Sequence, residues 1–219
     1  MTDSRLSCVI FDIDGTMTET HDLIVASFNH VTEKYLGRTF TPEEIVKFFG
    51  PPEEGALAVL FERDMIPRAM DDLCAFYRAH HASMAALHAG IPGILEFLQG
   101  KDVRLAVFTG KGRRTTDITL DAFGLRRYFD LVVTGNDVAH HKPDPEGILR
   151  VLRTFSVPPG EALMVGDSLG DITASRGAGV RIATVLWDSY EPDRVLKAGT
   201  DYVFHSAGEL LDWFRSHLN

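Results

Sequence analysis

The chain opens on a short apolar run, Cys8-Val9-Ile10-Phe11, which stops at Asp12-Ile13-Asp14-Gly15-Thr16. Four apolar residues in a row, bounded by a turn signal, predict a buried strand whose end carries two carboxylates. After Thr16 the period lengthens. Leu23, Ile24, Phe28, Val31 and Tyr35 recur at spacings of three and four, the buried face of a helix that Leu36-Gly37 closes. Thr41-Pro42-Glu43-Glu44 has the cap, proline and acidic residues of another helix start. Gly50-Pro51-Pro52 interrupts, and residues 56–61 and 71–88 read as further helices. Residues 18–89 are therefore predicted to be all-helical, with no strand.

From Ile91 the pattern changes again. A helix runs from Pro92-Gly93 through Leu98, and short apolar runs at 105–108, 131–134, 162–165, 182–186 and 202–204 then alternate with helical segments. Those segments fall at about 116–123, 145–155, 171–178, 193–197 and 207–217. Such alternation predicts βαβ units and a parallel sheet. The expected fold is α/β: a Rossmann-like open parallel sheet core, residues 1–17 and 90–219, with an inserted all-helical cap over 18–89. Ligands in such sheets bind beyond the carboxyl ends of the strands.

Composition narrows the partners. In 219 residues, 45% hydrophobic and 24% charged, Asp and Glu outnumber Lys and Arg by 31 to 22. That excess argues against a nucleic-acid partner, which needs a basic stripe. No run is long and apolar enough for a membrane span, and the first residues show no secretory pattern, so a cytoplasmic setting is expected. Cys8 and Cys74 make neither a disulfide framework nor a zinc site. His80-His81 and His140-His141 read as solvated surface, and Trp187 and Trp213 as packing residues.

Two carboxylates at the end of a buried strand are costly unless a cation sits with them. Magnesium suits oxygen ligands and a substrate phosphate. Other predicted strand ends carry matching groups. Thr109-Gly110-Lys111-Gly112 offers a hydroxyl and backbone N–H groups to phosphate oxygens. Lys142-Pro143 holds a lysine before a helix, and Gly166-Asp167-Ser168-Leu169-Gly170-Asp171 adds two carboxylates. The combination is a site for a metal and a phosphate.

These four segments, in this order, resemble the haloacid dehalogenase superfamily of phosphatases and phosphotransferases. The helical insert is similar to that family's C1-type cap, and the likeness is greatest to the phosphoglycolate phosphatase group and its pyrophosphatase relatives. The resemblance implies that Asp12 is the nucleophile, forming an aspartyl-phosphate, and that Asp14 is general acid and then base. It implies Mg²⁺ as cofactor, with Asp12, Asp14 (by its main-chain carbonyl), Asp167 and Asp171 around it. Thr109 and Lys142 would hold the phosphoryl oxygens, assisted by Gly15, Thr16 and Gly110. Asp14 argues against a true dehalogenase. Met17-Thr18-Glu19-Thr20 departs from the relatives' usual sequence, which bears on the cap hinge.

The expected activity is Mg²⁺-dependent hydrolysis of a small phosphorylated metabolite, phosphoglycolate first and pyrophosphate second, by a monomer or homodimer. A sugar-phosphate mutase is the runner-up, but Ile24 stands where that group's cap histidine is expected. A non-catalytic binding protein is the reading from another class, disfavoured by the joint presence of Asp12, Asp14, Lys142 and Asp167. In the cap, the stiff segment 47–52 is expected to lie over the aspartates, with Lys47 or Phe49 reading the part of the substrate beyond the phosphate.

Overall fold

The structure is a computed structural model and describes residues 6–218. The sequence readings that concern residues 1–5, the leader pattern and the start of the core, lie outside the described residues. Strand β1 (Cys8–Phe11) leads into a two-residue strand β2 (Thr18–Glu19) and then four helices, α1 (His21–Leu36), α2 (Pro42–Val46), α3 (Glu53–Leu57) and α4 (Ile66–Met84). The short β3 (Ala86–Leu87) follows, then α5 (Ile91–Gln99), β4 (Arg104–Phe108), α6 (Arg113–Ala122), β5 (Leu131–Val133), α7 (Glu146–Phe155) and β6 (Ala162–Gly166). The chain ends through α8 (Leu169–Ala178), β7 (Arg181–Val185), α9 (Pro192–Ala198), β8 (Tyr202–Phe204) and α10 (Ala207–His217).

Six strands form one parallel sheet in the order β5-β4-β1-β6-β7-β8. The period-2 alternation of the strands sorts their side chains onto two faces. Val9, Phe11, Leu105, Val107, Leu163 and Val165 pack with Ile94, Leu98, Leu210 and Phe214 of α5 and α10. Cys8, Ile10, Ala106, Phe108 and Met164 meet Ile148, Val151, Leu152 and Ile172 of α7 and α8 on the opposite face. Because both faces are covered, the central strand β1 is wholly apolar rather than alternating. Burial pushes the Cys8 thiol up to about 12, so it is an inert core residue.

The helices α1–α4 share a third cluster, in which Leu23, Ile24, Phe28, Val31, Ile45, Leu57, Leu73 and Tyr77 pack together. It reaches the sheet-bearing part through α6, where Ile118 joins the cluster and the Tyr77 hydroxyl lies 2.9 Å from that of Thr119. The expectation of no strand within 18–89 fails. Thr18 pairs with Leu87 and Glu19 with Ala86 in an antiparallel ribbon where the chain leaves the sheet and returns. Two-residue strands are too short for alternation to reveal. For the same reason α4 stops at Met84 rather than reaching 88, and it begins at Ile66, with Pro67 in its first turn.

The histidine expectation fails at one position. His81 is 3% exposed, packed edge-on against Phe123 and Tyr77, because α4 lies on α6 and residues one apart on a helix face different ways. Trp187 and Trp213 pack against the sheet's hydrophobic cluster, and the Trp187 indole N–H donates to the Thr16 carbonyl at 3.0 Å. No helix among the described residues is long and apolar enough to cross a membrane.

Candidate active site

β1 lies between β4 and β6, so the loops after these three strands meet at one edge of the sheet. Asp12 follows β1 directly. Its N–H donates to Val165 of β6 as the ladder's last rung, and its Oδ1 accepts from the Ile13 N–H at 2.7 Å. That leaves Oδ2 facing the Lys142 ammonium at 3.0 Å. The same ammonium donates to Asp171 Oδ1 at 2.6 Å and lies 4.8 Å above the Phe108 ring. Lys142 is thus a buried cation shared by two carboxylates.

The helix start after β6 positions the next pair. Ser168 caps α8: its hydroxyl accepts from the Asp171 N–H, while Asp171 Oδ2 accepts from the Ser168 N–H and hydroxyl. A side chain at Gly166 would place its Cβ 2.4 Å from Asp171 Cγ, so glycine is needed for this close approach. Asp167 is 4% exposed, and one of its oxygens accepts from the Thr16 hydroxyl at 2.7 Å. Gly15 takes φ +78°, and a Cβ there would stand 2.6 Å from Asp167 Oδ2. Gly15 and Thr16 were expected against the phosphate. Instead they lie behind Asp167, do not line the cavity, and fix its carboxylate, because the tight turn after Asp14 folds the Thr16 hydroxyl inward.

Asp14 stands on the other side of the turn. Its Oδ1 accepts from the Thr20 hydroxyl at 2.5 Å, and the Lys111 ammonium reaches both of its oxygens at 3.2–3.3 Å. Lys111 also lies 4.0 Å from Glu53 of α3 and 4.6 Å from the centre of the Tyr77 ring in α4. Thr109 and Gly110 line the cavity, and the Thr109 hydroxyl accepts from the Lys111 N–H at 3.2 Å.

Burial shapes the charges. It raises the Asp12 carboxyl to about 6, against the opposing pull of Lys142. Asp167 is raised by burial and by the neighbouring carboxylates Asp171 and Asp12. Burial works against the charge on Lys142, but Asp12 and Asp171 outweigh it and hold the ammonium above its ordinary range; Asp14, Tyr77 and Glu53 do the same for Lys111. Three carboxylates too close to be comfortably ionised together have the chemistry of a hard-cation site. Oxygens of Asp12, Asp167 and Asp171 lie within 4.8 Å of one another, and all-oxygen donors suit Mg²⁺. Asp171 has both oxygens engaged, one by Lys142 and the other by Ser168.

A cavity of about 410 Å³ lies over this edge, between the sheet and the helical insert. Asp12, Asp14, Thr109, Gly110, Lys142 and Asp167 all line it. Of the two residues singled out in the insert, Phe49 lines it and Lys47 does not; Lys47 follows the last turn of α2 and points to solvent. Sequence reasoning missed Lys111, Glu53, His21 and Tyr190, which also line it. The only signal for Lys111 was its place beside Thr109-Gly110. Glu53 falls before the helix expected over 56–61, although the structure starts that helix at Glu53 itself.

The model of the haloacid dehalogenase-like hydrolases matches residues 9–185. A pyrophosphatase, PpaX, from Bacillus velezensis is 33% identical over 95% of this chain and 99% of its own. The crystal structure of CbbY from Rhodobacter sphaeroides in complex with phosphate superposes with a TM-score of 0.81 at 27% identity, covering 94% of this chain and 96% of that one. A predicted phosphoglycolate phosphatase from Haemophilus somnus shares the fold, with a TM-score of 0.82 at 21% identity over 94% and 97% of the two chains. The strand-end carboxylates, the shared lysine and these matches over nearly the whole chain agree: the protein belongs to the haloacid dehalogenase-like hydrolases.

Proposed function

We propose that the protein is a Mg²⁺-dependent phosphatase that hydrolyses a small phosphate monoester through an aspartyl-phosphate on Asp12. The observation that carries this reading is the Lys142 ammonium placed between Asp12 and Asp171, with Asp167 behind and Asp14 across the turn. Asp12 Oδ2 is the attacking atom, since its other oxygen is held by the Ile13 N–H. Lys142 and Thr109 bind the phosphoryl oxygens, where charge builds in flight. Asp14 gives its proton to the leaving oxygen and later takes one from the water that opens the phosphoenzyme. Asp12 and Asp167, with the Asp14 carbonyl, would hold Mg²⁺, and Asp171 would support them. When bound, the ion supplies the positive charge that lets an ionised Asp12 approach an anionic phosphate.

The helical insert acts in this reading as a cap, with the β2–β3 ribbon as its hinge and its α2–α3 segment over the aspartates. Pyrophosphate hydrolysis is the second reading, favoured by the name of the relative that matches over 95% of this chain. The test is phosphate release with Mg²⁺ from a panel of esters and from pyrophosphate, for wild type and Asp12→Asn. The variant keeps the side chain's shape and removes the nucleophile. A folded Asp12→Asn protein that retained substantial turnover would exclude Asp12 as the attacking group.

A further inference from the structure

The cavity has two unlike halves. Its floor holds Asp12, Asp14, Asp167, Thr109, Lys111 and Lys142. Its roof, from the helical insert, is Ile24, Phe28, Val46, Phe48, Phe49 and Ala56, with Glu53 as the one charged side chain. Glu53 is already engaged, accepting from the Gly112 N–H at 2.7 Å and the Thr115 hydroxyl at 2.5 Å. No lysine or arginine of the insert lines the roof among the described residues.

The cations are likewise committed. Five carboxylates line the cavity against two lysines, and each lysine already serves two carboxylates. His21 also lines it, but burial disfavours the charged form of its imidazole against the opposing pull of Asp188. One phosphoryl group and one divalent ion fill the capacity of the floor. A second anion, whether a leaving phosphate or a carboxylate, would stand against an apolar roof with no free cation, which is costly. A polyol would gain little from the roof, whose apolar side chains offer its hydroxyls no partner.

We infer that the preferred substrates are phosphate monoesters of neutral, apolar alcohols, aromatic ones above all, with the ring lodged against Phe48, Phe49 and Phe28. The inference rests on the phosphatase reading and narrows it. Phe49 of the insert and Tyr190 of the loop after β7 meet edge to face at 6.1 Å, and both line the cavity. They are 39% and 41% exposed, the kind of incompletely covered aromatic surface that a ring would bury.

The test compares kcat/KM for benzyl phosphate, methyl phosphate, phosphoglycolate, a hexose phosphate and pyrophosphate, all with Mg²⁺. Benzyl and methyl phosphates are both esters of primary alcohols, so their difference reports the roof more than the chemistry. Benzyl phosphate is expected to lead each of the others by about a hundredfold, since single apolar groups in such pockets already discriminate by ~10–200-fold. Phe49→Ser should cut the benzyl rate at least ~10-fold and the methyl rate far less. Val46→Arg, which places a cation in the roof, should raise the rate on pyrophosphate relative to benzyl phosphate. Phosphoglycolate, the hexose phosphate or pyrophosphate ahead of benzyl phosphate would overturn the inference and leave the hydrolase reading standing. Absence of phosphate release from every compound would sink the phosphatase reading itself.

Discussion

Replacing Glu53 with alanine removes the acceptor that ties the helical insert to the loop after β4 and the first turn of α6. In the structure its two oxygens take the Gly112 N–H and the Thr115 hydroxyl, at 2.7 and 2.5 Å, in a setting where Glu53 is only 9% exposed. Hydrogen bonds to a charged group contribute about 1.5–3 kcal/mol each. Discounting the pair for the water that hydrates the freed groups leaves roughly 3 kcal/mol, or about a hundredfold shift in the docking equilibrium. The Tyr77–Thr119 and Arg114–Asp71 contacts remain, so the insert should open more often without detaching. Spin labels at Arg63→Cys and Lys197→Cys, both exposed positions, report the separation; the native cysteines are buried and stay unlabelled. Wild type should give one narrow distance distribution, and Glu53→Ala should add a second, longer population with a parallel loss of kcat/KM. A single unchanged distribution would show that the Glu53 contacts do not hold the insert down.

Three further outcomes are expected. Gly15→Ala forces a side chain into left-handed backbone at a cost of about 1–2 kcal/mol and against Asp167, so Mg²⁺ affinity by calorimetry should fall more than thermal stability does; unchanged affinity would mean Asp167 does not face the metal. Asp14→Asn should accumulate phosphoenzyme, seen by intact mass, from a substrate with a good leaving group, while steady-state turnover drops about 10²–10⁴-fold; wild-type turnover of alkyl phosphates would remove Asp14 from the mechanism. Because burial raises Asp12 from 3.8 to about 6, the folded protein without metal keeps a proton that the unfolded chain has lost, and its stability declines as pH rises through that window. Mg²⁺ binds the ionised form, so its thermal stabilisation should be larger near pH 7.5 than near about pH 5, and equal shifts would contradict the assignment.

Asp12 and Asp167 were readable because they sit at strand ends, and strand ends announce themselves as apolar runs that stop. Lys142, well past the end of β5, and Asp171, in the first turn of α8, could be added to them only through the combination of motifs, not from alternation. The roof could not be read in this way. Whether Lys47 or Phe49 faces inward depends on how the chain turns just after a five-residue helix, and the apolar residues Ile45, Val46, Phe48 and Phe49 around Lys47 fit several rotations. Pairings such as Gly112 with Glu53, 59 positions apart, leave no local trace. The roles of Gly15 and Thr16 turned on a single hydroxyl bonding inward to Asp167 rather than outward, which residue type does not decide.

The central place of β1 in the sheet also sets a timetable for making the protein. Cys8 pairs with Arg104 on one side and Ala162 on the other, so the strand leading into Asp12 precedes both of its neighbours by a long stretch of chain. Helices α1–α4 have mostly local contacts and can pack while that strand still waits, an apolar segment with two open edges, for partners not yet translated. A ribosome stalled before residue 104 would therefore present a folded helical lobe beside a naked strand, the combination that a holding chaperone recognises and that, unattended, pairs with its own copies.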